Sequence, residues 1–284
     1  MTAVRLVALF SLRESLRRRV FLVVTLLTIA FLVLYGLGAW QLFESVDEFD
    51  EPIEGVEART VAGATILGLA MFATLFLGTI LAVFLTLGAI RGDAERGLLQ
   101  PVLVRPLHRR TVLAGRFVAA ATVCAAYVIV VYFAAAAITW AFGDWWPDRT
   151  IGPALQLAGA VAILAALSLA GSVLLSSTAN GIAVFMAFGA GLTAGLLGQI
   201  GEALESRTLD DVAEWVSWAL PFEALYQAAL SGITADTVGF TRLAIDLGPF
   251  GGAESAGPLL WPWAVAYIAL VGLAAAAAFA RRDL

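Results

Sequence analysis

The sequence predicts an all-α integral membrane protein: six transmembrane helices, N and C termini on the cytoplasmic side, and a single membrane domain over residues 1–284. Three observations lead there. Hydrophobic residues are 61% of the chain and charged residues 14%, with a mean hydropathy of +0.91, outside the usual composition of a soluble domain. The apolar residues collect in six unbroken runs, at about 20–41, 62–89, 117–141, 153–176, 181–200 and 259–280. Each run comes near the ~20 residues a helix needs to cross hydrocarbon with its backbone groups satisfied internally, whereas barrel strands would alternate over roughly ten. Third, arginine is distributed very unevenly among the connecting segments.

The elements follow in order. Residues 1–19 interleave Val4, Val7, Leu9, Phe10 and Leu12 with arginines, the pattern either of a helix lying along the cytoplasmic surface or of a plain positive anchor. The first apolar run is too long for a removable signal peptide and lacks a small-residue cleavage site, so it is expected to be a span. Residues 42–60 carry Glu44, Asp47, Glu48, Asp50, Glu51, Glu54 and Glu57 at spacings that match no calcium loop, and are read as a solvated acidic loop. Pro153 and Pro262 fall in the first turns of their spans, where a missing N–H does no harm. Asn180 and Gly181, after Ser176, Ser177 and Thr178, predict a tight hairpin between spans four and five. Gly191 and Gly195, with Ala187 a turn earlier, allow close helix packing within the bundle.

Segment 201–258 does not span, but it is patterned. Leu209, Val212, Trp215, Val216 and Ala219 recur at helical spacing, with Asp210, Asp211 and Glu214 between them. This predicts an amphipathic helix at the outer interface, ended near Pro221, and a second short helix at about 222–230. Trp145, Trp146, Trp215, Trp218, Trp261 and Trp263 are placed to form an aromatic belt at the outer boundary.

Orientation comes from arginine, because basic loops are retained in the cytoplasm. Residues 1–19, 90–116 and the tail after the last span hold thirteen of the 17 arginines, and the other three loops hold Arg59, Arg149, Arg207 and Arg242. Six spans with both ends inside place all thirteen on one face. The opposite face is acidic. With no lysine and a net charge of −5, a halophilic source is expected, an arginine-favouring GC-rich genome being the alternative.

Composition also excludes chemistry. Without lysine there is no phosphate-gripping G-x-x-x-x-G-K-[ST] loop, Schiff-base lysine or Ser-Lys dyad. One histidine, His108, and one cysteine, Cys124, leave no His/Cys zinc site, disulfide or redox pair, so an autonomous enzyme is not expected. The spans hold no Asp, Glu, Arg or His away from their ends, which disfavours an ion-coupled carrier. Thr74, Thr79, Thr122, Ser168, Ser172 and Thr193 can return hydrogen bonds to their own helices.

The stretch IRGDAERGLLQPVLVRPLHRRTVLAGRF, residues 90–117, is more than a basic flank. Asp93 can cap a short helix from Ala94, and Leu98, Leu99, Val102 and Leu103 form an apolar ridge too short to span. Arg105, ahead of Pro106, stops that helix near Val104, and Pro101 kinks it or delays its start. Arg109 and Arg110 precede a helix expected to begin near Thr111.

Glu95, Arg96, Gly97, Leu99, Pro101, Val102, Leu103, Arg105, Pro106, Leu107, Arg109, Arg110, Leu113, Gly115 and Arg116 stand in the order of a known pattern. Glu14, Leu16, Arg17, Arg19 and Phe21 before the first span, Ala219 to Glu223 before the last, and Phe279 and Arg281 to Leu284 at the end stand in theirs. As an ordered set they resemble the type-2 ABC exporter permeases; Leu98, Gln100 and His108 depart from the usual Thr, Glu and Ser. The resemblance implies a dimer of six-span halves in the cell membrane, driven by a separate cytoplasmic ATPase that holds ATP and Mg, with no cofactor in this chain. It further implies that the loop between spans two and three carries a coupling helix. Glu95, Gly97, Leu98, Leu99, Val102, Leu103, Arg105, Arg109 and Arg110 would then meet the ATPase, beside an interface helix bearing Glu14, Arg17 and Arg19. Lipid, the ATPase and a second permease chain are the expected partners, with no nucleic acid. A scaffold that anchors partners without moving cargo, or an ion-coupled carrier, are the alternatives.

Overall fold

The computed structural model describes residues 19–48, 56–86, 109–246, 253, 255 and 257–281, and all regular structure among them is helical. The helices are α1 (Arg19–Glu48), α2 (Ala58–Thr86), α3 (Arg109–Gly143), α4 (Ile151–Leu174), α5 (Ser177–Ala203), α6 (Arg207–Ala219), α7 (Phe222–Ile233), α8 (Gly239–Asp246) and α9 (Leu260–Ala280). Six of them, α1 to α5 and α9, are long and apolar enough to cross a membrane.

Several helices run past their apolar runs, for local reasons. No Gly or Pro interrupts residues 41–48, and Phe43, 2% exposed, packs where a Cβ at Gly143 would otherwise lie, so α1 stays helical through its acidic end. The α4–α5 connection is tighter than the sequence suggests. Asn180 and Gly181, expected in the hairpin, are inside α5, because the turn is closed by Leu175 N–H on Gly171 O at 2.8 Å and Asn180 N–H on Ser176 O at 2.9 Å. Arg109 and Arg110, expected just ahead of the helix starting near Thr111, already lie within the described part of α3.

Side-chain pairs fix the direction of each helix. Thr28 meets Tyr127 and Tyr35 meets Thr139, each at 2.5 Å, so α1 and α3 run parallel. Gly78 of α2 faces Val128 of α3 and Val161 of α4, while Thr86 meets Ser168, so α2 and α4 run parallel to each other and opposite to α3. Gly159 faces Trp261, and Leu169 and Val173 cluster with Ala275, Ala276 and Phe279, which aligns α9 with α4. Arg19, Arg109, Arg110 and Arg281 therefore share one end of the bundle, and Glu48 with α6, α7 and α8 the other.

α4 is the axis, packing on α2, α3, α5, α7 and α9. Its apolar window and that of α2 are 67% buried, against 22% for α1, α5 and α9. Leu67, Met71, Leu75, Leu81, Val128, Tyr132, Leu157, Ile163 and Leu164 fill the centre. A Cβ at Gly78 would lie 2.7 Å from both Val128 and Val161, so glycine there permits a close approach of three helices. In lipid, where the surroundings are as apolar as the core, such dispersion contacts carry the association of the spans.

Candidate functional site

Two ends of the bundle concentrate polar chemistry. At the arginine end, Arg19 opens α1, Arg109 and Arg110 lie in the first turn of α3, and Arg281 follows α9. Arg110 is exposed. The other residues expected at an ATPase contact, Glu95, Gly97, Leu98, Leu99, Val102, Leu103 and Arg105, with Glu14 and Arg17 of the interface helix, lie outside the described residues.

Directly beneath this end is a buried polar link. Thr86, the last described residue of α2, is hydrogen-bonded through its hydroxyl to Ser168 Oγ of α4 at 2.6 Å. Asn180 of α5 donates through Nδ2 to Ser168 O at 2.9 Å and approaches Ser168 Oγ at 3.4 Å. Thr86, Ser168 and Asn180 are at most 1% exposed. The carbonyl of Ser168 requires the amide to point its NH2 that way, which leaves Asn180 Oδ1 buried without a hydrogen-bond partner among the described residues. An orphaned acceptor costs about 1–3 kcal/mol, so packing alone does not account for asparagine here. Gly171 makes room for it, since a Cβ there would collide with Oδ1.

The link was only partly legible in sequence. Thr74, Thr79, Thr122, Ser172 and Thr193 do return their hydroxyls to carbonyls of their own helices, at 2.7 to 2.9 Å. Ser168 instead bridges helices. No spacing signals this, because its partners come from two other elements.

At the acidic end, α7 is packed into the bundle rather than lying on it. Phe222, Glu223, Leu225, Tyr226, Ala228, Ala229, Leu230 and Ile233 are all buried, against α4 above all. Gly232 accommodates Pro153, and Gly191 accommodates the Phe222 ring, which stacks on Phe188 at 5.8 Å. Glu223 is 4% exposed. Burial pushes the Tyr226 phenol above its ordinary range, and the Glu223 carboxylate adds to the rise. Loops are pinned around this cap: Asp236 N–H donates to Asp148 Oδ2 at 2.8 Å, and Glu57 N–H to Thr241 Oγ1 at 2.9 Å.

α6 is amphipathic, as its spacing predicts. Leu209, Ala213 and Val216 turn inward, while Trp215 is 78% exposed and Val212 is exposed beside it. The aromatic belt is incomplete, however. Trp145 is buried, its ring 2.5 Å from where a Cβ at Gly63 would stand, so it belongs to the core between α2 and α3. Among the described residues no group of three His, Cys, Asp or Glu could hold a metal ion.

A bundle of six membrane-length helices, tied together by hydroxyl pairs between α1 and α3, has the architecture of a multi-pass membrane protein. The chain belongs to the ABC-2 family transporter proteins, whose family model matches residues 6–284. It is thus a permease component of an ABC transporter and a multi-pass protein of the cell membrane. Compared with the curated proteins, it matches none.

Proposed function

We propose that this permease forms one half of the membrane pathway of an ATP-driven exporter, working as a dimer against a separate cytoplasmic ATPase. The observation that carries the reading is the family match along nearly the whole chain. Three features support it. The absence of lysine leaves the chain no phosphate loop of its own. Arg19, Arg109, Arg110 and Arg281 share one end of the bundle, and the positive-inside bias favours that end for the cytoplasm, where an ATPase would dock. And α1, α5 and α9 leave most of their apolar surface open while α2 and α4 are packed, as half of a larger assembly would.

In this reading, residues 95–104 form the coupling helix, with Leu98, Leu99, Val102 and Leu103 seated in the ATPase and Arg105, Arg109 and Arg110 orienting the loop. The helix carrying Glu14, Arg17 and Arg19 packs beside it. Co-purification tests the assignment. Deleting 97–104 is expected to abolish capture of the partner ATPase, with membrane insertion intact; unchanged capture sinks it.

A further inference from the structure

We infer that Thr86, Ser168 and Asn180 are positioning residues that couple α2 to the α4–α5 hairpin during the ATP-driven cycle, an inference that rests on the proposed ATPase contact. Thr86 is the last described residue of α2, at the arginine end of the bundle. Its hydroxyl reaches Ser168 Oγ at 2.6 Å, with the carbonyls of Ala82 and Val83 behind it at 2.8 and 3.2 Å. Ser168 is held in turn by Asn180, which grips the Ser168 carbonyl at 2.9 Å.

The connection between α4 and α5 is only Leu175 and Ser176, so displacement of Ser168 is passed to both helices at once. α5 is well placed to respond. Its apolar window is 22% buried, and beyond the hairpin its glycines take Phe222 at Gly191 and Glu223 at Gly195, both on α7 at the acidic end. A push at the arginine end thus has a continuous path: Thr86 to Ser168, Ser168 to Asn180, along α5 to α7. Asn180 Oδ1, without a hydrogen-bond partner among the described residues, fits such a role, since a group retained only for packing would be better replaced by an apolar one.

Ser168→Ala cuts the link without leaving a new buried orphan. In Ser168→Ala the Asn180 amide keeps the Ser168 carbonyl and Thr86 keeps Ala82 O, so the hairpin stays stapled while the bridge between α2 and α4 is lost. Thr86→Val removes the bridge from the other side. Ser172→Ala is the control: Ser172 is buried one turn away and bonds only Leu169 O, at 2.7 Å.

The experiment uses the full permease–ATPase complex in proteoliposomes, with Leu204→Cys as reporter on the exposed segment just beyond α5. Cys124 is fully buried and stays silent to an impermeant maleimide. In the parent, trapping with ATP and vanadate changes the labelling rate at 204. In Ser168→Ala and Thr86→Val that change shrinks by about three- to tenfold, the range that one or two hydrogen bonds supply, with ATPase capture and melting temperature as in the parent. Ser172→Ala responds like the parent. A full response in both link variants overturns the inference, and so does an equal loss in Ser172→Ala, which would mean general loosening. A parent chain that captures no ATPase overturns the coupling reading itself, before any variant is made.

Discussion

The Glu223 carboxylate lies against Gly195, in the space a Cβ at that position would occupy. One turn earlier the Phe222 ring fills the same kind of space at Gly191, 2.5 Å from where its Cβ would stand. The G-x-x-x-G spacing of α5 is therefore used inside the chain, as a seat for the first two residues of α7.

Substitution at the seat should loosen α7. Gly191→Ala and Gly195→Ala each force a ring or a carboxylate to move and are expected to cost about 1–3 kcal/mol, the usual penalty of overpacking. Gly189 has nothing within 4 Å of its Cβ position, so Gly189→Ala gains helix propensity of up to about 1 kcal/mol instead. Thermal melts in one detergent should rank Gly189→Ala at or above the parent and the other two below it. Three equal melts would contradict the seat.

At the same end, Trp263 Nε1 donates to the Trp218 carbonyl at 3.1 Å, its ring edge-on to Trp218 and also against Tyr267. This bond ties the end of α6 to the first turn of α9. Trp263→Phe keeps most of the ring contact and loses only the donor, which is worth about 0.5–1.5 kcal/mol. Amide exchange over 207–219 should then rise by roughly three- to tenfold while the global melt hardly moves. Unaltered exchange in α6 would show that the helix is held by other contacts.

What sequence could show follows from what each feature depends on. Span number, the break at Pro221 and the helical pattern of 209–219 depend on local length and periodicity, so they are legible in one chain. Partners are not. Gly191 and Gly195 announce a close approach but not that Phe222 and Glu223 make it, and Trp145 reads as a belt residue until Gly63 is found beneath it. α7 looks like a short surface helix because Glu223, Tyr226 and Gln227 interrupt its apolar residues, yet it is buried almost all round. The proposed ATPase contact rests on resemblance, since the apolar residues at 98–103 name no partner by themselves.

The α1–α3 seam offers the sharpest test of the packing, because its hydrogen bonds have a readable direction. Thr28 and Thr139 give their single protons to carbonyls of their own helices, Val24 O at 2.7 Å and Ala135 O at 3.0 Å. Tyr127 and Tyr35 must therefore be the donors across the seam, each at 2.5 Å. The two halves of each pair are then unequal. Tyr35→Phe removes a donor and leaves Thr139 satisfied within α3, a loss of about 0.5–1 kcal/mol. Thr139→Val removes the acceptor and strands a phenol that is 6% exposed, which costs about 1–3 kcal/mol. The double variant should cost less than the sum, because with the phenol gone nothing is stranded. Thr28 and Tyr127 should show the same asymmetry at smaller size, since that pair is only part-buried. Equal losses from Tyr35→Phe and Thr139→Val, adding without interaction, would show that the seam is held by packing alone.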